Sequence, residues 1–140
     1  MAPDAQDVVN RTFEALNAHD AARVRTFYTD DCEVSSPAGE MRGADAVVAL
    51  AQTYWNAFSD LKWSIKHQCT SGDTVVTEEF AEGTNDGGLV TPQGTLPASN
   101  KRVITRICEV SRVRGDKIYS LHLYWDNLAF LQAINALPAP

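Results

Sequence analysis

Apolar residues recur at helical spacing three times before residue 60. This spacing predicts helices over residues 4–18, over a short segment that begins after Asp20, and over residues 47–58. Asp20 favours the second helix because aspartate is a good N-cap residue. The third helix has a wide apolar face, as expected for a helix that packs on a core. The apolar positions are Val9, Phe13 and Leu16 in the first helix, Val24, Phe27 and Tyr28 in the second, and Val47, Ala51, Tyr54, Trp55 and Phe58 in the third.

The second half of the chain has the pattern of β-strands. Strands are predicted over residues 61–68, 74–84, 102–113 and 118–125, after a short strand at 32–34. Gly-Asp pairs at 72–73 and 115–116 predict tight connections, whereas the Gly- and Pro-rich residues 85–100 predict a long lid or rim loop. A short helix begins at Asn127. This order indicates one α+β domain over residues 1–140, in which a curved antiparallel sheet wraps around three N-terminal helices to form a cone with one apolar pocket.

Composition and charge narrow the classes of function. The 140 residues carry a formal net charge of −6 without any basic run, so we expect no nucleic-acid partner. The sequence has no apolar run long enough for a membrane span and no signal-peptide pattern at its start, so we expect no membrane contact. The widely spaced Cys32, Cys69 and Cys108 predict reduced thiols in a cytoplasmic protein. Without CxxC, HExxH or glycine-rich phosphate motifs, we expect neither a metal nor an organic cofactor.

The last predicted strand alternates between a polar and an apolar face. Ser120, His122, Tyr124 and Asp126 share one face, and Tyr119, Leu121, Leu123 and Trp125 share the other. We expect the polar face to look into the cone, where aromatic walls would raise the pKa of Asp126 towards values useful in acid–base chemistry. His122 and Tyr124 would relay or donate a proton beside it. The alternative role of Asp126 is to cap the helix that begins at Asn127.

The apolar face of the same strand predicts an oligomer. If its side chains lie on the outer face of the sheet, they form an exposed stripe of a size that is unusual on a monomer. We therefore predict a homodimer in which the outer sheet faces of two copies pack around a two-fold axis. The alternative is that the stripe faces the core and the polar face looks outward.

Glu79 is a second catalytic candidate, on the strand predicted over residues 74–84. It faces the pocket if it shares a face with Val75 and Thr77, whereas a shift of one residue would place Glu78 there instead. A buried glutamate is strongly destabilising unless it is paired, so an inward Glu79 implies a function.

Glu109 is the corresponding candidate on the next predicted strand. It would share one proton with Glu79 or Asp126, because two neighbouring carboxyls do not both ionise readily. A salt bridge from Glu109 to Arg106 or Arg112 is the alternative.

Several further residues are predicted to bind substrate. Trp55, Phe58 and Tyr28 lie on helix faces that would roof the cone, and Trp63 is a further aromatic candidate for the pocket. Asn85, near the rim, would hydrogen-bond a substrate carbonyl or enolate. The alternatives are core packing for the aromatic residues and a simple turn role for Asn85.

Six short motifs follow one another along the chain. They are NAHD at residues 17–20, FYTDD at 27–31, AFSDLKW at 57–63, GDTVV at 72–76, GTNDG at 83–87 and RVRGDKI at 112–118. This series resembles the SnoaL-like polyketide cyclases within the nuclear transport factor 2-like superfamily. Asp126 falls on the aspartate of that family. The chain departs from the family pattern at Asn85, where the family has histidine, and at Glu79, where an apolar or aromatic residue is usual.

The resemblance implies the same cone-shaped fold and a reaction. In the family, the aspartate at the position of Asp126 is the general acid and base of an intramolecular aldol-type cyclisation without metal or cofactor. We therefore expect a cofactor-independent enzyme that cyclises or isomerises a small apolar oxygenated metabolite, polyketide- or terpenoid-like. Asp126 would be the base and later the acid, and His122, Tyr124 or Asn85 would stabilise the developing oxyanion.

Two other functions remain open from the sequence. An epoxide hydrolase of the same fold needs two carboxylates with an arginine between them, and Glu79, Arg106, Glu109 and Asp126 supply those residue types. A non-catalytic ligand-binding or dimerisation module is the alternative of a different class. A pocket in which Asp126 only caps a helix would favour the module, and a carboxylate aimed into a closed apolar cavity would favour an enzyme.

Overall fold

The computed structural model describes residues 4–137. Its helices are α1 (Ala5–Asn17), α2 (Ala21–Arg25), α3 (Ala44–Ala57) and α4 (Asn127–Ala133). Asp4 and Asp20 begin α1 and α2 as N-caps, because their side chains accept hydrogen bonds from the backbone N–H groups of Asp7 and Arg23 at 2.7 and 3.1 Å. The three predicted N-terminal helices are confirmed. Within residues 4–137, no helix combines the length and the apolar character needed to cross a membrane.

Eight strands follow or separate these helices. They are β1 (Tyr28–Ser36), β2 (Gly39–Arg42), β3 (Lys62–Ser71), β4 (Thr74–Thr84), β5 (Leu89–Thr91), β6 (Gly94–Leu96), β7 (Arg102–Arg114) and β8 (Lys117–Trp125). Six of them form one sheet in the order β2-β1-β8-β7-β4-β3, and β5 and β6 form a separate hairpin. The helices α1, α3 and α4 pack against this sheet and enclose the apolar core. The predicted α+β cone is therefore confirmed.

The register between β4 and β7 determines which side chains face the helices. Glu79 lies opposite Ile107, and Thr77 lies opposite Glu109, so all four share one face of the sheet. Glu79 is 1% exposed, whereas Glu78 is exposed on the other face. Of the two registers that the sequence leaves open, the structure has the one in which Glu79 faces inward.

Three features of the sheet differ from the sequence-based prediction. Tyr28, predicted in the second helix, begins β1, and β2 was not predicted as a strand. The sheet is mixed, because β1 pairs in parallel with β8. The predicted loop over residues 85–100 contains the β5–β6 hairpin. Acidic residues in β1, which are poor strand formers, and a pairing partner far along the chain explain why local pattern did not show this strand in full.

Candidate active site

An apolar cavity of about 120 Å³ lies between the helices and the inner face of the sheet. Its size is close to that of a cavity known to hold one benzene ring, about 150 Å³. Aromatic side chains from helices and strands make up much of its wall. They are Phe13, Tyr28, Tyr54, Phe58, Trp63, Trp125 and Phe130.

Two carboxyl groups interrupt this apolar wall. Glu79 and Glu109 both line the cavity and are 1% and 9% exposed. They are diagonal neighbours on β4 and β7, because Glu109 lies opposite the residue two positions before Glu79. The hydroxyl of Ser111 donates a weak hydrogen bond to Glu109 Oε1 at 3.4 Å. Both carboxyl oxygens of Glu79 are buried and accept no hydrogen bond from the described residues, so the main polar interaction of Glu79 is with Glu109, through charge and through a shared proton.

Burial and mutual repulsion disfavour the ionised forms of this pair. Burial raises the pKa of Glu79 well above its ordinary value, and the negative charge of Glu109 raises it further. Burial also raises the pKa of Glu109. Since Glu109 accepts a hydrogen bond from Ser111 and Glu79 accepts none, we assign the shared proton to Glu79 and the carboxylate to Glu109. The pair thus offers a neutral acid beside a base, the arrangement that acid–base catalysis uses.

Tyr28 supplies a phenol near the two carboxyls. It lies at the start of β1, lines the cavity and is 4% exposed. Burial raises its pKa well above 10, and the charges of Glu109, Cys32 and Glu79 raise it further. The phenol therefore stays protonated and acts only as a neutral hydrogen-bond donor or acceptor.

No positive charge compensates the acids inside the cavity. Among the described lining residues, none is lysine, arginine or histidine. The Arg106 guanidinium lies 5.7 Å from the centroid of the Phe80 ring on the outer face of the sheet. The predicted salt bridge from Glu109 to Arg106 is therefore wrong, and so is the grouping of Arg106 with Glu79 that an epoxide hydrolase would need. Arg112 is on the same outer face as Arg106, because it also alternates with Glu109 along β7.

The predicted orientation of β8 is wrong. Leu121, Leu123 and Trp125 line the cavity, and Leu123 lies opposite Glu109 in β7 and therefore on the same face. His122 and Tyr124 point to the outer face, where Tyr124 is 58% exposed. The strand has this orientation because it buries the more apolar of its two faces in the core. The predicted homodimer loses its basis, because the stripe meant to form the interface is internal.

Asp126 caps a helix and does not enter the cavity. It is exposed at the N-terminus of α4, and its Oδ1 accepts a hydrogen bond from the backbone N–H of Ala129 at 2.9 Å. The predicted pocket position of Asp126 is therefore wrong, and the capping alternative is the observed one.

The other predicted binding residues divide into two groups. Phe58, Tyr28 and Trp63 line the cavity as predicted. Trp55 lies outside the lining and stacks on His19, with ring centroids 5.0 Å apart. Asn85 is fully buried in the loop, and its predicted contact with substrate is wrong because its amide is already used.

The Asn85 side chain holds the loop after β4. Its Nδ2 donates to the backbone carbonyls of Ala57 and Gly87 at 3.1 Å each, and its Oδ1 accepts from the backbone N–H of Ser99 at 2.8 Å. Asn85 thus joins the end of α3 to both ends of the loop that contains the β5–β6 hairpin.

Sequence reasoning missed four aromatic wall residues, Phe13, Tyr54, Trp125 and Phe130. A signal for Tyr54 was present, because it shares a helical face with Ala51 and Phe58. Burial raises the pKa of Tyr54 to about 12, so this phenol is also neutral. Among residues 4–137, no group of three or more His, Cys, Asp and Glu side chains is placed to hold a metal ion.

Residues 9–121 match the family model of the SnoaL-like domain, and the chain belongs to that family. No match was found among curated proteins. Solved structures share the fold. A protein from Jannaschia sp. CCS1 described as a SnoaL-like polyketide cyclase is 20% identical, with a TM-score of 0.82 over 96% of this chain and 93% of that one.

Two Streptomyces proteins are similar in the same way. AclR from Streptomyces galilaeus, described as a hydroxylase, is 20% identical with a TM-score of 0.82 over 97% of this chain and 83% of its own. IdmH from Streptomyces antibioticus, described as a polyketide cyclase, is 22% identical with a TM-score of 0.79 over 95% of this chain and 99% of its own. These likenesses show that the fold is shared.

Proposed function

We propose that this protein is a cofactor-independent acid–base enzyme in which Glu79 and Glu109 move a proton on a small apolar carbonyl compound. One observation carries the proposal: two buried carboxyls line an apolar cavity without any basic side chain among its described lining residues. Such a pair opposes folding, because the Glu109 charge is removed from water without a counter-charge and the Glu79 carboxyl is buried without a donor. A destabilising cluster at the wall of a cavity is typical of a functional site.

The geometry supports a distinct role for each group. The Glu109 carboxylate takes a proton from the carbon next to a carbonyl, and the electron pair moves to the carbonyl oxygen to form an enolate. Tyr28 donates a hydrogen bond to that oxygen, as an oxyanion donor does. Return of the proton to another carbon is an isomerisation. Attack of the enolate carbon on a second carbonyl of the same molecule forms a C–C bond, and the resulting alkoxide takes the proton of Glu79.

The cyclase descriptions of two structural neighbours favour the ring-forming version of this chemistry. The capping role of Asp126 favours the non-catalytic module. We give more weight to the buried carboxyls, because a binding pocket for an apolar ligand needs no acidic pair and is destabilised by one. The proposal moves the acid–base role from Asp126, expected from the resemblance, to the facing strands β4 and β7.

Carbon–hydrogen exchange tests the proposal without knowledge of the natural substrate. Cyclohexanone, a single ring with a carbonyl, is incubated with the protein in D2O, and loss of its α-proton signal is followed by NMR. We expect the wild type to accelerate exchange and Glu109→Gln to lower the accelerated rate by roughly 10²–10⁴-fold, the usual contribution of a general base.

Glu78→Gln is the matched control, because Glu78 neighbours Glu79 in sequence but is exposed on the other face of β4. It should exchange cyclohexanone at the wild-type rate. The proposal would be contradicted if the wild type and Glu109→Gln exchanged cyclohexanone at equal rates while circular dichroism showed both proteins to be folded.

A further inference from the structure

We propose that this cavity also binds protonated amines, which Glu79 and Glu109 hold as an ammonium ion. The inference goes beyond the proposed function, because an ammonium ion between the two carboxyls takes the place of the proton they share and so competes with proton transfer on a carbonyl compound. It starts from the two oxygens of Glu79, which are buried without a hydrogen-bond partner, and from the lack of a basic side chain among the described residues of the cavity wall. A buried acceptor pair without a donor is incomplete, and a ligand can complete it.

The protein itself offers these acceptors very little. The titratable groups that face Glu79 and Glu109 from the surrounding elements are Tyr28 on β1 and Tyr54 on α3, and both are neutral phenols. Ser111 donates only to Glu109, at 3.4 Å. The part of β8 that borders the pair contributes Leu121, Leu123 and Trp125, none of which titrates. On the outer face of the sheet, the Cys108 thiol has no positive form, and the cations Lys66 and Arg106 lie beside the Phe80 ring, outside the cavity.

An ammonium group fits this environment in both charge and hydrogen bonding. It carries donors and no acceptor, so its N–H groups can satisfy the oxygens of Glu79 and the carboxylate of Glu109 together. The faces of Tyr54, Trp63 and Trp125, which line the same cavity, attract a cation through their ring quadrupoles. The rest of the wall is apolar and suits a hydrocarbon body of about one ring.

The same arrangement rejects an anion. A ligand carboxylate would meet two acids of its own sign in a site that removes it from water, and no lysine, arginine or histidine in the described lining could pair with it. Among ligands of equal shape, the cavity therefore binds the cation most tightly, binds the neutral molecule less tightly and excludes the anion.

Amine binding also has a proton signature. An ammonium beside Glu79 opposes the effects of burial and of the Glu109 charge, so the pKa of Glu79 falls and its proton leaves for solvent. Binding of an amine should release about one proton per site, whereas a neutral ligand of the same shape should release none.

Calorimetry with three ligands of similar shape tests the inference. Benzylamine, benzyl alcohol and benzoate are titrated into the wild-type protein at neutral pH, in two buffers that differ in ionisation enthalpy so that proton release is measured. We expect benzylamine to bind at least about tenfold more tightly than benzyl alcohol, with proton release, and benzoate not to bind. Benzyl alcohol or benzoate binding as tightly as benzylamine would overturn the inference.

Two variants locate the effect. Glu79→Gln, which keeps the shape, should lower the affinity for benzylamine at least about tenfold, and Glu78→Gln should leave it unchanged. The three-ligand titration of the wild-type protein tests the inference without any variant. A variant that fails to fold therefore does not remove the test. If benzylamine binds no more tightly than benzyl alcohol or benzoate, while Glu109→Gln still slows cyclohexanone exchange, only this inference fails. If exchange is absent while benzylamine binds with proton release, it is the proposed reaction that fails.

Discussion

Glu79 shows how a single side chain can oppose folding while it equips a site. Its carboxyl is 1% exposed and lacks both a donor and a cation. The ionisation of this group is disfavoured by burial first and by the Glu109 charge second. A side chain of similar volume without charge would pack there at lower cost. Glu79 therefore lowers stability at the position where it supplies an acid to the cavity.

The raised pKa of Glu79 predicts how stability depends on pH. The folded pKa exceeds the unfolded value, so the stability that comes from protonated Glu79 is complete below about pH 4.5 and is lost as the pH rises through the folded pKa. The loss is about 1.4 kcal/mol for each unit of difference between the two pKa values. Glu79→Gln cannot ionise. We expect this variant to lose less stability than the wild type between about pH 5 and pH 8, and to be the more stable protein at the upper end.

Chemical denaturation at several pH values measures this difference. Glu78→Gln should follow the wild-type curve, since Glu78 is exposed. Parallel curves for Glu79→Gln and wild type would mean that Glu79 has the same pKa folded and unfolded, which the burial of its carboxyl does not allow.

At the scale of elements, β8 and α4 supply apolar cavity wall, whereas the acidic pair lies on β4 and β7. The inner face of β8 is apolar and forms cavity wall, and its end leads directly into the Asp126 cap of α4. Phe130 on α4 lines the cavity and packs against Tyr54 and Phe58, with ring centroids 6.2 and 6.0 Å apart. The cap thus fixes a helix that closes the cavity, without placing its own carboxylate inside.

Asp126→Ala separates capping from chemistry. Removal of the hydrogen bond to the Ala129 N–H should lower the free energy of unfolding by about 1 kcal/mol, and Asp126→Asn should cost less because the amide oxygen still accepts it. Both variants should exchange cyclohexanone at close to the wild-type rate. A loss of exchange by orders of magnitude in Asp126→Asn, with normal stability, would return the acid–base role to Asp126.

The elements also show what the sequence could reveal. The alternation around Glu79 left two registers of β4 open, one with Glu79 and one with Glu78 facing inward. The structure has the first, in which Glu79 shares its face with Val75 and Thr77. In β8 the alternation is clear, but the prediction of its inner face is wrong. Burial of Leu121 and Trp125 decides the orientation of this strand, and not the placement of an expected catalytic aspartate in the pocket.

Other features were beyond local pattern. The parallel pairing of β1 with β8 joins segments far apart in sequence, and no short-range signal marks it. Asn85 has the appearance of a turn residue, yet its amide joins three backbone groups from α3 and the following loop. Such a contact depends on tertiary structure and is not encoded in the neighbouring residues.

At the scale of the whole molecule, the basic side chains described on the sheet lie outside the cavity. On the outer face, Lys66 Nζ and the Arg106 guanidinium lie 5.0 and 5.7 Å from the centroid of Phe80. Surface pairs such as Arg102 with Glu82, at 2.8 Å, add little to stability because water screens them. Inside the cavity only acids and neutral groups remain. This separation leaves the Glu79–Glu109 pair uncompensated, and it is the feature from which both proposals follow.

The most direct test of this account is the titration of the carboxyl groups themselves. Protein labelled with ¹³C at the glutamate side-chain carboxyl is followed by NMR across pH, and the Glu79 and Glu109 signals are assigned by their loss in Glu79→Gln and Glu109→Gln. We predict that the Glu79 carboxyl loses its proton well above its ordinary pKa of 4.5, and that the Glu109 signal shifts when Glu79 is replaced. A Glu79 signal that titrates at its ordinary value of 4.5 would contradict the account.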